Sequence, residues 1–384
     1  MREILPINLF ILKQLRIELN LSILDVASKI NKKPEVIERW ESGEDSPTYI
    51  QLEFLAQKVF KKPIVVFFMP RLPYNIEPNA DFRAMPMELN KSLPSGMIHI
   101  YEKAKAMQYN LMELYSSSNS ARSFFDDIGD TGNMGIVELS EILRSYLDIS
   151  LEEQTQWGNC DKALQKWRNA FEKIGITVFK DAFRNFDYSG FCLFDEMYPL
   201  IYLNNSMPKS RQIFTLFHEI GHIIFKNGGI DINNKVIFNR YHSSYNKIEI
   251  KCNKLAGEFL FPISVFRSEA LPFSENNVEI LAAKYSVSRE LVMRKYLDIG
   301  QIDEKTYDIY RNKWIEQLTR ADKKKSGGNY YKTQKAYLSE RYLGAVFQNY
   351  YKGSITELEV ADYLNIKVDK VGKFEMTFLQ GVSS

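Results

Sequence analysis

The chain has 384 residues, is 45% hydrophobic and 26% charged, and carries 50 Lys/Arg against 48 Asp/Glu. That length suits two or three domains, and the composition excludes wholesale disorder, a strongly basic nucleic-acid coat and an acidic tail protein, while allowing one local basic face. Cys160, Cys192 and Cys252 are far apart and form no CxxC pair. They argue against a disulfide scaffold or a thiolate zinc finger and fit a reducing compartment. No apolar run reaches membrane-spanning length and no signal peptide is recognisable, so a soluble, cytoplasmic, membrane-free protein is expected.

In chain order, residues 1–70 suit a small all-helical domain. Ile11, Leu12, Leu15 and Leu19 recur at helical spacing, and Ser22 is placed to cap a second helix over 23–30. Pro34 suits the first turn of a third helix that ends at Gly43, and Ser46-Pro47-Thr48 opens a fourth. Short helices joined by tight turns are the helix-turn-helix pattern. The third helix, the expected recognition helix, carries Glu35, Glu38 and Glu41 with Arg39 alone, led by Lys32 and Lys33. Residues 1–70 hold ten Lys/Arg and nine Asp/Glu. Lys32, Lys33 and Arg39 are therefore the candidate DNA contacts, and a protein-docking or dimerising role stands beside that reading.

Residues 71–94 hold prolines and little periodicity and suit a linker or arm. Helical periodicity returns over 95–173, broken at 127–135 by DIGDTGNMG. Segments 175–180, 190–195 and 198–205 are short, β-branched or aromatic, and bounded by turn residues, as strands of a small sheet are. Residues 208–226 then predict a helix apolar on nearly every side, which only a buried helix tolerates. A further helix is expected over 247–260, ending at Pro262. Two short helices follow around Ser286-Val287-Ser288, either a further helix-turn-helix or simply a pair packed on the core. RADKKKSGG over 320–328 suits a linker before a helical remainder.

Two of the four histidines lie in His218-Glu219-Ile220-Gly221-His222. Residues four apart share a helix face, about 40° apart, so both imidazoles can reach one Zn²⁺. Glu219 is then placed to contact a water on the metal and take its proton. The alternative, two ordinary buried histidines and a carboxylate in an apolar stripe, is costly without a partner. A third ligand is required. The extended pattern with a third His fails because residue 228 is Gly. Asp231, His242, Glu249 and Glu258 remain. Glu249 is preferred because a helical Glu completes an established His₂Glu set and because Asn253, one turn on, can orient a ligand His. Glu258 lies about 180° round from Glu249 and cannot share its site. Tyr241, His242 and Tyr245 are candidates to stabilise an oxyanion, against the reading of a plain surface loop. His99, in an apolar stretch, suits a structural role.

LFHEIGHIIF followed by Glu249-Ile-Lys-Cys-Asn253-Lys-Leu-Ala256-Gly-Glu-Phe-Leu260-Phe-Pro262 resembles the ImmA/IrrE metallopeptidase family. The upstream strands and ILAAKYSVSRELVMRKYLDIG look like the same family, and the N-terminal part is similar to the Cro/repressor-like (XRE-type) helix-turn-helix domain often fused to it. Cys252 stands where the family commonly has Ala. The resemblance implies an α+β, mostly helical chain: a helix-turn-helix domain over 1–70, an arm over 71–94, a zincin-like domain over 95–300 with its core at 174–265, and a helical C-terminal region over 301–384. It further implies a gluzincin-like zinc endopeptidase that cuts a repressor- or antitoxin-like regulator in stress, mobile-element or phage-defence control. A DNA-binding regulator or antitoxin whose zinc domain is a sensor or scaffold is the alternative, and oligomers are compatible with either. The connector between the two modules suggests that a partner of residues 1–70 gates access to the zinc cleft.

Overall fold

The computed structural model describes residues 7–72, 93–115, 121–129, 131, 134–225, 229–232, 243–321 and 330–382. Contacts divide the chain into two compact units, Met1–Lys103 and Ala104–Ser384. Most of the expected 71–94 arm lies outside the described residues.

The first unit opens with α1 (Leu9–Glu18), α2 (Ile23–Lys29), α3 (Pro34–Ser42) and α4 (Tyr49–Phe54), which continues as a π-type turn over Leu55–Phe60. Ser22 and Asp25 form a reciprocal capping box at the start of α2, and Gly43 ends α3 at φ 86°. Ile11, Leu15, Val26, Ile37, Trp40 and Leu52 form the buried centre. Residues from 93 to 102 belong here too: Asn20 Nδ2 donates to the Leu93 carbonyl at 3.1 Å, and Lys62 meets Glu102 at 2.8 Å. His99 sits 3.5 Å from Glu102, a structural setting. α5 (Ser95–Tyr115) crosses the division.

The second unit continues with α6 (Ala121–Ile128), α7 (Ile136–Leu147), α8 (Leu151–Gln156) and α9 (Cys160–Lys173). Then come β1 (Thr177–Asp181), β2 (Tyr188–Leu193) and β3 (Leu200–Asn204), α10 (Lys209–Ile224), β4 (Gly229–Ile232) and α11 (Ser243–Leu260). The helices α12 (Ile263–Glu269), α13 (Glu275–Tyr285), α14 (Arg289–Asp298) and α15 (Glu304–Ala321) follow. The C-terminal helices are α16 (Tyr330–Tyr337), α17 (Glu340–Tyr351), α18 (Glu357–Leu364) and α19 (Val371–Val382). The chain is mostly helical, as its periodicity predicts.

The sheet order is β1-β3-β2-β4, with β1 parallel to β3 and the other pairs antiparallel. Three strands match the expected segments. β4 adds a fourth, which its short Gly229-Ile-Asp-Ile sequence did not announce. Every residue of β2 and β3 is buried: α10 covers one face of the sheet, and on the other Phe179, Tyr202 and Phe191 pack side by side with Tyr342 against Phe179. Gly190 allows that approach: a Cβ there would lie 2.7 Å from Thr215 Cγ2 and 2.9 Å from the Tyr202 carbonyl oxygen. The helix pair α13–α14 is both things the sequence left open. Ser286 takes φ 54° in a helix-turn-helix bend, while Leu291, Val292 and Tyr296 sink into the core.

Candidate metal centre

α10 starts after Pro208 and is buried on all sides over its last three turns, packed against α9, α11, β2 and β3. Such a helix brings its polar side chains into a dry place, where each needs a partner. α11 crosses α10 at Gly221. A Cβ there would stand 3.0 Å from Cys252 Sγ and 3.1 Å from Cys252 Cα, so only glycine permits the approach without displacement. Cys252 is itself fully buried.

The crossing gathers three of the expected side chains. Glu249 Oε1 lies 3.1 Å from His222 Nε2, and its Oε2 lies 3.3 Å from His218 Nε2. The two Nε2 atoms are 3.0 Å apart. All three residues are buried. Burial opposes the charge on Glu249, but whenever the two imidazoles are protonated their hydrogen bonds and charge overcome it and hold the carboxyl well below the usual range.

Asn253 Oδ1 lies 3.1 Å from His218 Nδ1. An amide oxygen only accepts, so Nδ1 carries the proton and Nε2 of the neutral ring presents a lone pair. That lone pair faces another imidazole nitrogen and a carboxylate. Electron-rich atoms converging in a buried place call for a cation, and the N, N, O set suits zinc. Their ligand atoms lie within 4.8 Å of one another. The residues therefore fit a bound metal.

Residues 171–296 match the Peptidase_M78 family model, the IrrE N-terminal-like domain, and residues 12–63 match the HTH_3 helix-turn-helix model. The chain carries a helix-turn-helix domain followed by an IrrE-like peptidase domain. No curated protein matches it.

Within the IrrE-like domain, Glu219 is fully buried on α10 beside the two histidines. Glu258 is spent elsewhere: it accepts from Lys295 Nζ at 3.2 Å and from the Ile263 amide at 3.1 Å. Asp231 lies on β4, its side chain outside the described set. Tyr241 and His242 lie outside the described residues. Tyr245 falls on α11, which starts at Ser243, earlier than the expected 247; its side chain is not described. In the helix-turn-helix domain, Lys32, Lys33 and Arg39 are exposed.

Two positioning groups escaped the sequence reading. Arg144 on α7 donates to the Phe259 carbonyl and lies over the Phe259 ring at 4.2 Å, while Gln154 on α8 donates to the Leu260 carbonyl at 2.9 Å. Together they occupy carbonyls at the C-terminal end of α11, the helix that carries Glu249 and Asn253. No local spacing links these residues to α11, so no sequence signal marked them.

Proposed function

We propose that the IrrE-like domain is a zinc-dependent, gluzincin-like endopeptidase that cleaves a specific regulatory protein of the repressor or antitoxin-like kind. Stress, mobile-element or phage-defence control is its setting, the cytoplasm its compartment, and the helix-turn-helix domain a DNA-directed module. The observation that carries this reading is the buried convergence of His218, His222 and Glu249, with Asn253 behind His218. When bound, zinc supplies Lewis acidity, acidifying a water and polarising a peptide carbonyl.

His218, His222 and Glu249 hold the ion, and Asn253 keeps His218 in the tautomer that presents Nε2. Glu219 takes the proton of the attacking water and returns it to the leaving amine nitrogen. A fully buried carboxylate outside the ligand trio supports catalysis over a sensor or scaffold role, which needs the ligands but not a base. His242, with Tyr241 and Tyr245, is the proposed oxyanion-side group.

The test compares the parent chain, Glu219→Gln, and the double variant His218→Ala/His222→Ala by metal analysis and by mass spectrometry of cellular proteins. The parent and Glu219→Gln are expected to hold one zinc each and the double variant none, with cleavage products only for the parent. Stoichiometric zinc in the double variant defeats the site. Parental cleavage by Glu219→Gln defeats the role of the base.

A further inference from the structure

The outward face of α9 carries cations that the rest of the chain leaves without counter-ions. Lys162, Gln165, Lys166 and Asn169 recur there at helical spacing. With Gln156 and Trp157, at the end of α8, they line a hollow of about 420 Å³. Its walls hold two lysines, three amides and an indole, and no carboxylate.

The helix itself offers these lysines no ion pair. The positions three and four residues from Lys162 hold Gly158, Asn159, Gln165 and Lys166, and those from Lys166 hold Lys162, Ala163, Asn169 and Ala170. Asp161 projects about 100° round the helix from Lys162. Glu172 is buried and accepts from the Arg341 amide at 3.2 Å. Among the described residues, no side-chain hydrogen bond or ion pair engages Lys162, Lys166 or the amides of Gln156, Gln165 and Asn169. Lysines elsewhere on the surface are paired, as Lys284 is with Glu269 and Lys313 with Glu275, both at 2.8 Å. Two like charges one turn apart repel, so an anion between them is favourable.

Trp157 supplies an independent sign. Its side chain is 7% exposed and held edge-on against Trp167 at 4.7 Å, and its indole nitrogen is buried with no hydrogen-bond partner. A buried donor without an acceptor is costly. Indole and ammonium groups only donate, so what satisfies all three is a group that only accepts: an oxyanion. The volume exceeds what a bare oxyanion fills and suits a small organic ligand. Gln156, Gln165 and Asn169 both donate and accept, as recognition of hydroxyls and ring nitrogens requires, and such amides read the edges of nucleobases.

The hollow is distinct from the metal centre. On the inner face of α9, Trp167 packs edge-on against Phe217 at 5.0 Å, and Phe217 precedes His218 on α10. The body of α9 therefore stands between the two.

We infer that this hollow binds a nucleoside monophosphate, with its phosphate on Lys162 and Lys166 and its sugar and base on the three amides. The Trp157 N–H, brought round by a small turn of the ring, is a further donor to the phosphate.

The experiment is calorimetric titration of the full chain with AMP, GMP, CMP and UMP, each set against its free nucleoside and against inorganic phosphate. At least one monophosphate is expected to bind once per chain, about tenfold or more tighter than either control. Lys162→Gln/Lys166→Gln, both on an exposed face and leaving the circular dichroism unchanged, should weaken that binding by about tenfold or more. The corresponding double arginine variant should keep it. Trp157→Phe retains a ring against Trp167 without the N–H and should weaken binding by about threefold to tenfold. Parental affinity in the glutamine or phenylalanine variant overturns the inference. So does a parent chain that binds no monophosphate, or binds none more tightly than inorganic phosphate.

Discussion

At the scale of single residues, the α10–α11 crossing hangs on one missing methyl group. In Gly221→Ala the new Cβ meets the backbone of Cys252, which cannot rotate away as a side-chain tip can. The helices must separate, carrying Glu249 and Asn253 away from the histidines. We expect a stability loss of about 1–3 kcal/mol and at least a tenfold drop in zinc affinity, checked by urea unfolding and zinc titration. Adding Cys252→Ala should restore only part of both, because the contact with Cys252 Cα remains. Parental zinc affinity in Gly221→Ala would show that the crossing does not set the site.

A second residue-scale effect lies on β1. Lys180 is 7% exposed, and burial, reinforced by Arg168 and Lys209, pushes its ammonium down to about 7 from an ordinary value of 10.5. Between those values the unfolded chain holds a proton that the folded chain has released. Stability therefore rises as pH increases through 7 toward 10.5, and the full cost of burying the charge is felt below 7. Lys180→Met should unfold at higher urea than the parent at pH 6 and lose this part of the pH dependence. Urea titrations of both chains at pH 6, 7.5 and 9 check this, and parallel pH profiles would refute it.

At the scale of elements, the important helix is α11, held at its far end by Arg144 and Gln154. The Arg144 guanidinium also reaches the Ile149 carbonyl at 3.2 Å and Gln154 Oε1 at 3.1 Å, and burial lowers its affinity for its proton to about 10. Arg144→Ala removes charged hydrogen bonds and ring packing from one buried junction. We expect a loss of about 2–4 kcal/mol with zinc still bound at saturating metal. Equilibrium unfolding and metal analysis test both halves; unchanged stability would mean that α11 is held by packing alone. The elements also differ in legibility. α10 was plain because it is apolar all round, and β1 to β3 because their β-branched and aromatic runs are bounded by turn residues. β4 was not, since four residues carry no periodicity and pair only because β2 offers an edge.

At the scale of the whole molecule, metal and fold are linked. Only the folded chain brings the proposed ligands His218, His222 and Glu249 together, so the zinc proposed above would bind that state and not the unfolded one. At a free concentration one hundred times the dissociation constant, that adds about 2.7 kcal/mol. Chelation should therefore lower the Tm of the parent and leave that of His218→Ala/His222→Ala unchanged, as read by scanning calorimetry. Equal shifts in both would place the effect elsewhere.

His218-Glu219-Ile-Gly-His222 and its helix could be read from the sequence, because ligand spacing on one helix is a local property set by the 3.6-residue period. So could the helix-turn-helix of 22–42, whose cap, proline and glycine are local signals, and the placing of Glu249 and Asn253 one turn apart on one helix face. Which carboxylate meets the histidines is not local: it depends on where two helices cross, and Gly221 against Cys252 decides that. The same holds for Glu258, whose geometry on α11 was legible but whose partner, Lys295, lies on another helix. The bend around Ser286 is a local signal too, yet only tertiary packing sinks Leu291, Val292 and Tyr296 into the core, because burial depends on what the rest of the chain brings against each face.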